Sequence, residues 1–596
     1  MSLNTHLGAA HLDIQSGRPA EALTKLSALQ KSYPKNADVW RLSAMAARKS
    51  GNPAQAEDWL GQALALDGGN CETWNALGLS QDDQGRVDAA LDSFQKALDL
   101  RPDFAPAAIN AGRLLNRLSR HEETLRVLEP FERDAKARLL QAQAVQALEG
   151  PERAIGIYRA LSQADPTNPQ AHYGQCLCLL EMGASEQALP GLAALSKSGF
   201  APAHYPLFTA LARLKRYEEA FKAVQQALIA NPFDEKALHG GAQLLYMTGR
   251  AEQIQPYFEN LVEATNGAAM VVAVYLDVLI QMETFDKARA LAERATKFHG
   301  QTDWLINRRL SIEIEAQEAS AAQSIASSLP AELHSDPRLR GNLVRAYLMN
   351  GAFEQSGPLI EEGVAALEGD RFWRALEAVQ ARGVGDMARY RELVDLDAFT
   401  MTTALTPPSQ YADIAEFNAS LAAVLRQLHD FSAPPLDQSL RAGTQTPTDL
   451  RHSQEPVIRE FFAMVEAAFR RYRDQLTAKP GHPLLGAIPD AFELVGAWSV
   501  RLGPGGRHVN HVHPEGWLSS VYYVDVPPQV QGAPDKEGWL KFCEPPFPVP
   551  GQDAERHVQP RAGELTLFPS YFWHGTEPIR SGERLTIAFD IAPKRG

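Results

Sequence analysis

Residues 71–104 read CETWNALGLSQDDQGRVDAALDSFQKALDLRPDF, and this stretch decides the architecture of the first two thirds of the chain. Trp74, Leu77 and Gly78 fall on one predicted helix, Gly85 breaks it, and Ala90, Phe94 and Ala97 follow on a second helix that Pro102 ends. Small Gly78, Ala90 and Ala97 let two antiparallel helices approach, Trp74 and Phe94 fill the gaps, and Gly85 supplies a tight turn. Pro102 has no amide to continue the helix. The unit is one period of a longer array. Gly17, Gly51 and Gly85 are spaced by 34 residues, and so are Ala22, Ala56 and Ala90. Matching pieces recur in Lys215–Ala220 with Ala227 and Pro232, at Gly249, in Phe285–Ala288 with Ala295, and in Gly351–Glu354. These give about eleven helical hairpins between residue 3 and residue 395.

With its W…LG…G…A…F…A…P positions nearly complete, this unit resembles the tetratricopeptide repeat. The resemblance implies an N-terminal all-α superhelix whose concave face binds extended peptides or partner proteins. Most of the Leu, Ala and aromatic positions named above then serve inter-repeat packing and touch no ligand.

Bulk properties narrow the function. A chain of 596 residues is too long for one core and should hold at least two domains. Its net charge of −14 argues against a general nucleic-acid binder or a binder of anionic membranes. The four cysteines, Cys71, Cys176, Cys178 and Cys543, lack zinc-site spacing and read as buried apolar residues in a reducing compartment. Met1–His6 has neither a basic nor an apolar signal region, and no apolar run reaches the ~18 residues of a membrane span. A cytoplasmic location is expected.

The helical period breaks at Ala404–Pro408. Helices are expected from Tyr411 to His429 and from Glu455 to Gln475, with Leu436–Thr446 between them as a polar, glycine-containing loop. From Phe492 to Leu502 apolar and polar residues alternate, and short strands follow. The reading is a repeat array over 1–395 and a second domain over 396–596, helices first and sheet second.

Histidines crowd into Arg507-His508-Val509-Asn510-His511-Val512-His513-Pro514-Glu515. On a strand, residues i and i+2 share a face, so His511 and His513 can aim two imidazoles into one cavity. His574, just after the apolar Leu565–Pro569 run, is placed to be a third ligand. Three ligands on one face leave positions on an octahedral iron(II) for a bidentate oxoacid and O₂. Arg584 and Thr586, on one face of a final strand, are placed to grip the far carboxylate of the oxoacid. Tyr523 can add a hydroxyl to the same carboxylate, and Ser519, two strand steps before it, is a further candidate for holding the cofactor. A second register is open, in which His513-Pro514-Glu515 is an H-x-E motif and Glu515 replaces His511. His508 sits at an odd step from both partners and reads as exposed or as support for the ligands.

From about residue 400 onward the chain resembles the iron(II)/2-oxoglutarate oxygenases with a double-stranded β-helix (a jelly-roll, cupin-like fold), in particular a bacterial family with H-x-H-P…L-S-G-V-Y-Y-V. That segment here reads His511-Val512-His513-Pro514…Leu518-Ser519-Ser520-Val521-Tyr522-Tyr523-Val524, with Ser520 in place of glycine. The family's L-F-P-S…H…R-x-T half matches Leu567–Ser570, His574, Arg584 and Thr586, and Leu436–Thr446 resembles its P-L-D-Q-S-L-R-G-G-T-Q-T segment. The resemblance implies a hydroxylase using iron(II), 2-oxoglutarate and O₂, with a protein or peptide substrate presented by the repeats. Two rival readings remain at this point: a scaffold with a degenerate β-domain, and a three-histidine iron dioxygenase that uses no 2-oxoglutarate.

Overall fold

The computed structural model describes residues 2–594 apart from 335, 368–369, 430, 437 and 447–448. Asp430 and Asp437, in the two segments that link the helices to the sheet, therefore lie outside the described residues. The chain forms two compact units, Met1–Pro206 and Leu207–Gly596. The first is wholly helical among its described residues. The second holds further repeats and all the β-structure.

In the first unit the repeat helices run as the period predicts, for example Cys71–Asp83 and Val87–Leu100. A Cβ on Gly78 would lie 2.6 Å from the Phe94 ring, so the close helix contact needs glycine there. Gly85 takes φ +73°, the left-handed turn that links the two helices. The side chain of Asn70 caps the first helix by accepting the Thr73 amide at 3.1 Å, and Asn36 caps the preceding repeat in the same way at Val39. All four cysteines are free and buried. No helix among the described residues is long and apolar enough to cross a membrane.

In the second unit the repeat helices end at Leu396–Phe399, and β1 (Met401–Ala404) follows at once. The other strands are β2 (Leu440–Gln445), β3 (Phe492–His508), β4 (Leu518–Asp525), β5 (Leu540–Phe542), β6 (Arg556–Val558), β7 (Glu564–Pro569), β8 (His574–Thr576) and β9 (Arg584–Pro593). They form two antiparallel sheets, a six-stranded one ordered β1-β7-β4-β9-β3-β2 and a three-stranded one ordered β6-β5-β8. This is a jelly-roll-like arrangement. Helices Ile414–Gln427 and Pro456–Asp474 match the two expected helices within a few residues and bury Phe417, Leu421, Phe461 and Phe469.

The loop expected over Leu436–Thr446 is in fact largely strand. β2 pairs with β3 at the sheet edge, and a bulge between Arg441 and Gly443, with Ala442 at φ +50°, breaks the alternation that would have revealed it. A Cβ on Gly443 would lie 2.7 Å from the Arg501 carbonyl, which is why glycine occupies this strand.

The sheets and the last repeats share one core. A single cluster runs from Ile306 and Leu343 through Trp373 and Tyr390 to Trp517, Trp573 and Phe589. Side chains of the β-domain bond repeat carbonyls, among them Tyr571 Oη donating to Leu393 at 2.7 Å, Gln552 Nε2 to Val379 at 2.8 Å and Trp573 Nε1 to Ala375 at 3.3 Å. In return, Arg382 donates to the carbonyls of Cys543 and Asp553. At the other end of this repeat stretch, Ser432 bonds the Met247 carbonyl at 3.0 Å and Arg441 pairs with Glu283 at 2.6 Å. The β-domain is therefore bonded to both ends of the stretch from 247 to 393.

Because core and main-chain partners are shared, residues 207–596 expressed alone should give one cooperative urea transition by near-UV circular dichroism. Residues 396–596 alone, with Trp573 and Tyr571 uncovered, should lack a near-UV signal. A native-like spectrum from the shorter piece would show that the sheets fold without the repeats.

Candidate metal centre

His511, His513 and His574 come together, each offering one ring nitrogen, with those atoms all within 4.8 Å of one another. The local structure differs from the expected strand. β3 ends at His508, and His511 forms only an isolated antiparallel bridge to His574, with backbone bonds of 2.9 and 3.1 Å. His513 lies beyond any strand and is fixed by its amide bond to the Ser570 carbonyl at 2.9 Å. The imidazoles nonetheless converge, with ring centroids 4.3 Å apart for His511–His574, 4.9 Å for His511–His513 and 5.3 Å for His513–His574.

The hydrogen bonds decide which nitrogen each ring presents. His511 Nδ1 lies 2.8 Å from the Val509 carbonyl, His574 Nδ1 2.9 Å from the Phe572 carbonyl, and His513 Nδ1 2.5 Å from an Asp590 carboxylate oxygen. Carbonyls and carboxylates only accept, so each Nδ1 carries the hydrogen and each Nε2 is left with a lone pair. Burial pushes the His511 pKa down to about 3 and that of His574 well below its ordinary value, so both rings are neutral near pH 7. Three imidazoles whose Nδ1 atoms are all bonded to acceptors, leaving their Nε2 atoms in one place, suit a first-row divalent metal. Trp498 stacks on His513 at 6.0 Å and 4°, and Phe568 packs against His574 at 4.7 Å.

Glu515 is not in the cluster. It lies exposed on the turn after Pro514, where the chain leaves the site, and no strand aims its carboxylate at His513 and His574. His508 is also outside the cluster. Ser439 Oγ stands between His508 Nδ1 at 2.9 Å and His511 Nε2 at 3.3 Å.

Beside the histidines lies Arg584, with 1% of its surface exposed. Its guanidinium sits over the Tyr523 ring at 5.7 Å and donates through Nη1 to the Gly538 carbonyl. Arg584 Nε and Tyr523 Oη are both buried with no hydrogen-bond partner, and no carboxylate pairs with Arg584 among the described residues. A buried cation without a counter-charge is costly, so this pocket is built to take an anion. Thr586 faces the same cavity, its hydroxyl 3.4 Å from the Val500 carbonyl. Ser519 is also in the wall, but its hydroxyl donates to Asp590 at 2.8 Å and so supports the carboxylate behind His513.

Asp590 is the residue the sequence reading missed. It stands directly opposite Ser519 across the β4–β9 pair. The signal was present, since Arg584, Thr586, Ala588 and Asp590 share one face of β9 by two-residue spacing. The cavity measures about 810 Å³, and its far wall is made by repeat helices Ala269–Gln281 and Asp303–Glu315, through Asp277, Gln281, Ser311 and Glu315.

Residues 496–590, which span every site residue of β3, β4, β8 and β9 named above, match the family described as "Putative 2OG-Fe(II) oxygenase". Residues 7–70 and 71–104 match two models described as tetratricopeptide repeats. The chain thus carries tetratricopeptide repeats and a C-terminal domain of that oxygenase family. No curated protein matches the chain significantly. A tetratricopeptide repeat protein from Parabacteroides merdae is 16% identical, the match covering 41% of this chain and 98% of that one at a TM-score of 0.35. A thermophilic repeat protein from Thermus thermophilus is 21% identical over 30% of this chain and 99% of that one, at 0.27.

Replacing Asp590 by Asn keeps the shape but removes the charge behind His513. Cobalt(II) affinity, read from its visible absorption, should fall about 10- to 100-fold, as such supporting carboxylates typically give. Unchanged affinity would show that Asp590 only fills space.

Proposed function

We propose that the C-terminal domain, 396–596, is an iron(II)- and 2-oxoglutarate-dependent hydroxylase acting on a protein or peptide side chain that the repeat array, 1–395, presents. The observation that carries this reading is a juxtaposition within one cavity. Three Nε2 lone pairs converge beside a buried arginine and tyrosine that have no anion of their own. The donor set fits the cofactors. His511, His513 and His574 would hold iron(II), and Arg584, Tyr523 and Thr586 would hold the distal carboxylate of 2-oxoglutarate.

When bound, iron(II), 2-oxoglutarate and O₂ supply the oxidation of an unactivated C–H bond, coupled to decarboxylation of the oxoacid. The protein orients and shields. Asp590 and the carbonyls of Val509 and Phe572 keep the imidazoles in the tautomer that offers Nε2. Arg584, in a wall that also holds Leu540, Phe568 and Tyr523, binds the carboxylate away from water, where a charge-assisted bond is stronger. Trp498 and Phe568 flank the rings and limit solvent access.

Anaerobic addition of iron(II) and 2-oxoglutarate to the full chain should produce a weak visible charge-transfer band only when both are present. His574→Ala should abolish the band. Arg584→Ala should keep it but require about 10- to 150-fold more oxoacid, the loss expected for bonds to a charged group worth about 1.5–3 kcal/mol. Absence of a band with iron bound would favour a three-histidine dioxygenase. Absence of iron binding would favour a scaffold.

A further inference from the structure

The cavity has two unlike walls, and the reaction proposed above uses only one. The β-domain wall carries the histidines and Arg584. The opposite wall is the 269–281 and 303–315 helices, which present Asp277, Gln281, Ser311 and Glu315. A volume of about 810 Å³ is far more than a five-carbon diacid fills, and lies in the upper part of the ~300–1,000 Å³ range of ligand sites. The remaining space adjoins the repeat wall.

That wall continues beyond the cavity as a strip of amide and hydroxyl groups. Asn342, on the next repeat helix (Pro337–Met349), donates to Ser311 Oγ at 2.9 Å and to Asn307 Oδ1 at 2.8 Å. Asn342 Oδ1 also accepts from Arg345 at 3.1 Å, so what the strip leaves for a ligand is the Asn307 amide hydrogens and the Ser311 hydroxyl hydrogen, donors that can meet the C=O groups of an extended backbone. The first unit repeats this pairing between Asn110 and Asn75 at 2.9 Å.

The charges facing the cavity are four carboxylates, Asp277, Glu315, Glu515 and Asp590, against two arginines, Arg441 and Arg584. Most are already paired. Asp277 bonds Arg308 at 2.7 Å, Glu315 bonds Arg345, Asp590 bonds His513 and Ser519, and Arg441 bonds Glu283. Arg584 faces the oxoacid position. Glu515 alone among these carboxylates has no bonded partner among the described residues, and it stands exposed two residues past His513.

Resting on the oxygenase reading, we propose that the inner face of the 269–281 and 303–315 helices is the substrate-recognition wall, and that the substrate is an extended polypeptide segment with a basic side chain, which Glu515 receives beside the metal centre. The segment lies along the Asn342–Asn307–Ser311 strip and reaches the histidines past Gln281 and Glu315. Glu515, first considered as an alternative metal ligand, then selects the substrate.

The test uses the full chain loaded anaerobically with iron(II) and 2-oxoglutarate, so that the visible band reports an intact centre throughout. Binding of short fluorescein-labelled peptides of alanine alternating with lysine, glutamine or glutamate is followed by anisotropy. The lysine peptide should bind at least about tenfold more tightly than the glutamate peptide, a difference of about 1.4 kcal/mol. Glu515→Gln should bring the lysine peptide to the level of the glutamine peptide. Ser311→Trp, which blocks the wall, and the milder Gln281→Arg should each weaken the lysine peptide while the band persists. With the band present, equal binding of all three peptides, a preference for glutamate, no binding at millimolar peptide, or wall variants that bind like the unaltered chain would each overturn this proposal and leave the oxygenase reading standing. Failure of the unaltered chain to form the band would overturn both.

Discussion

The site depends on where three hydrogens are spent. An imidazole can show a metal either nitrogen, and a cluster of three free rings would sample many unproductive combinations. Here Val509, Phe572 and Asp590 each take one Nδ1 hydrogen, so one arrangement of lone pairs remains. The acceptors are secured by the fold. The bridge between His511 and His574 fixes two of the rings through the backbone, and Ser519 holds Asp590 for the third. A cluster of three imidazoles with no carboxylate among them gains a negative charge one bond away, through the Asp590 partner of His513.

Arg584 imposes a second constraint of the opposite kind. Its burial is unfavourable in the protein alone and is offset only partly by the Gly538 carbonyl and the Tyr523 ring. The core on the opposite face of the same strand, with Leu585, Ile587 and Phe589 fully enclosed, carries that cost. Such stored unfavourable burial is what makes a pocket selective for an anion over neutral ligands of equal size.

Much of this was legible in the sequence. The repeat period and the change to β-texture near residue 400 follow from spacing, because helix and strand periodicities are local. His511, His513 and His574, by contrast, converge although neither His511 nor His513 stands on the strand that the two-residue rule requires. The same two-residue rule that places Arg584 with Thr586 extends to Asp590. The β2 strand was hidden for a physical reason: its bulge at Ala442 shifts the register and erases the alternation. Its polar sequence suits an edge that faces the cavity. The repeat wall was not legible at all. Asp277 and Ser311 are more than 190 residues from His511, and nothing local marks an inner-face residue that will meet a sheet so far along the chain.

The bonds from Ser432 and Arg441 to one end of the repeat stretch, and from Tyr571 and Gln552 to the other, make that stretch a span fastened at both abutments. Solenoids ordinarily evolve by gaining or losing whole repeats, since each unit touches only its neighbours. Between Met247 and Leu393 that freedom is lost. Duplicating one repeat would move an abutment by a full step, and Ser432 and Tyr571 could no longer both reach their carbonyls. Within this span, lineages carrying the same closure should vary in side chains and surface turns while holding the number of repeats fixed.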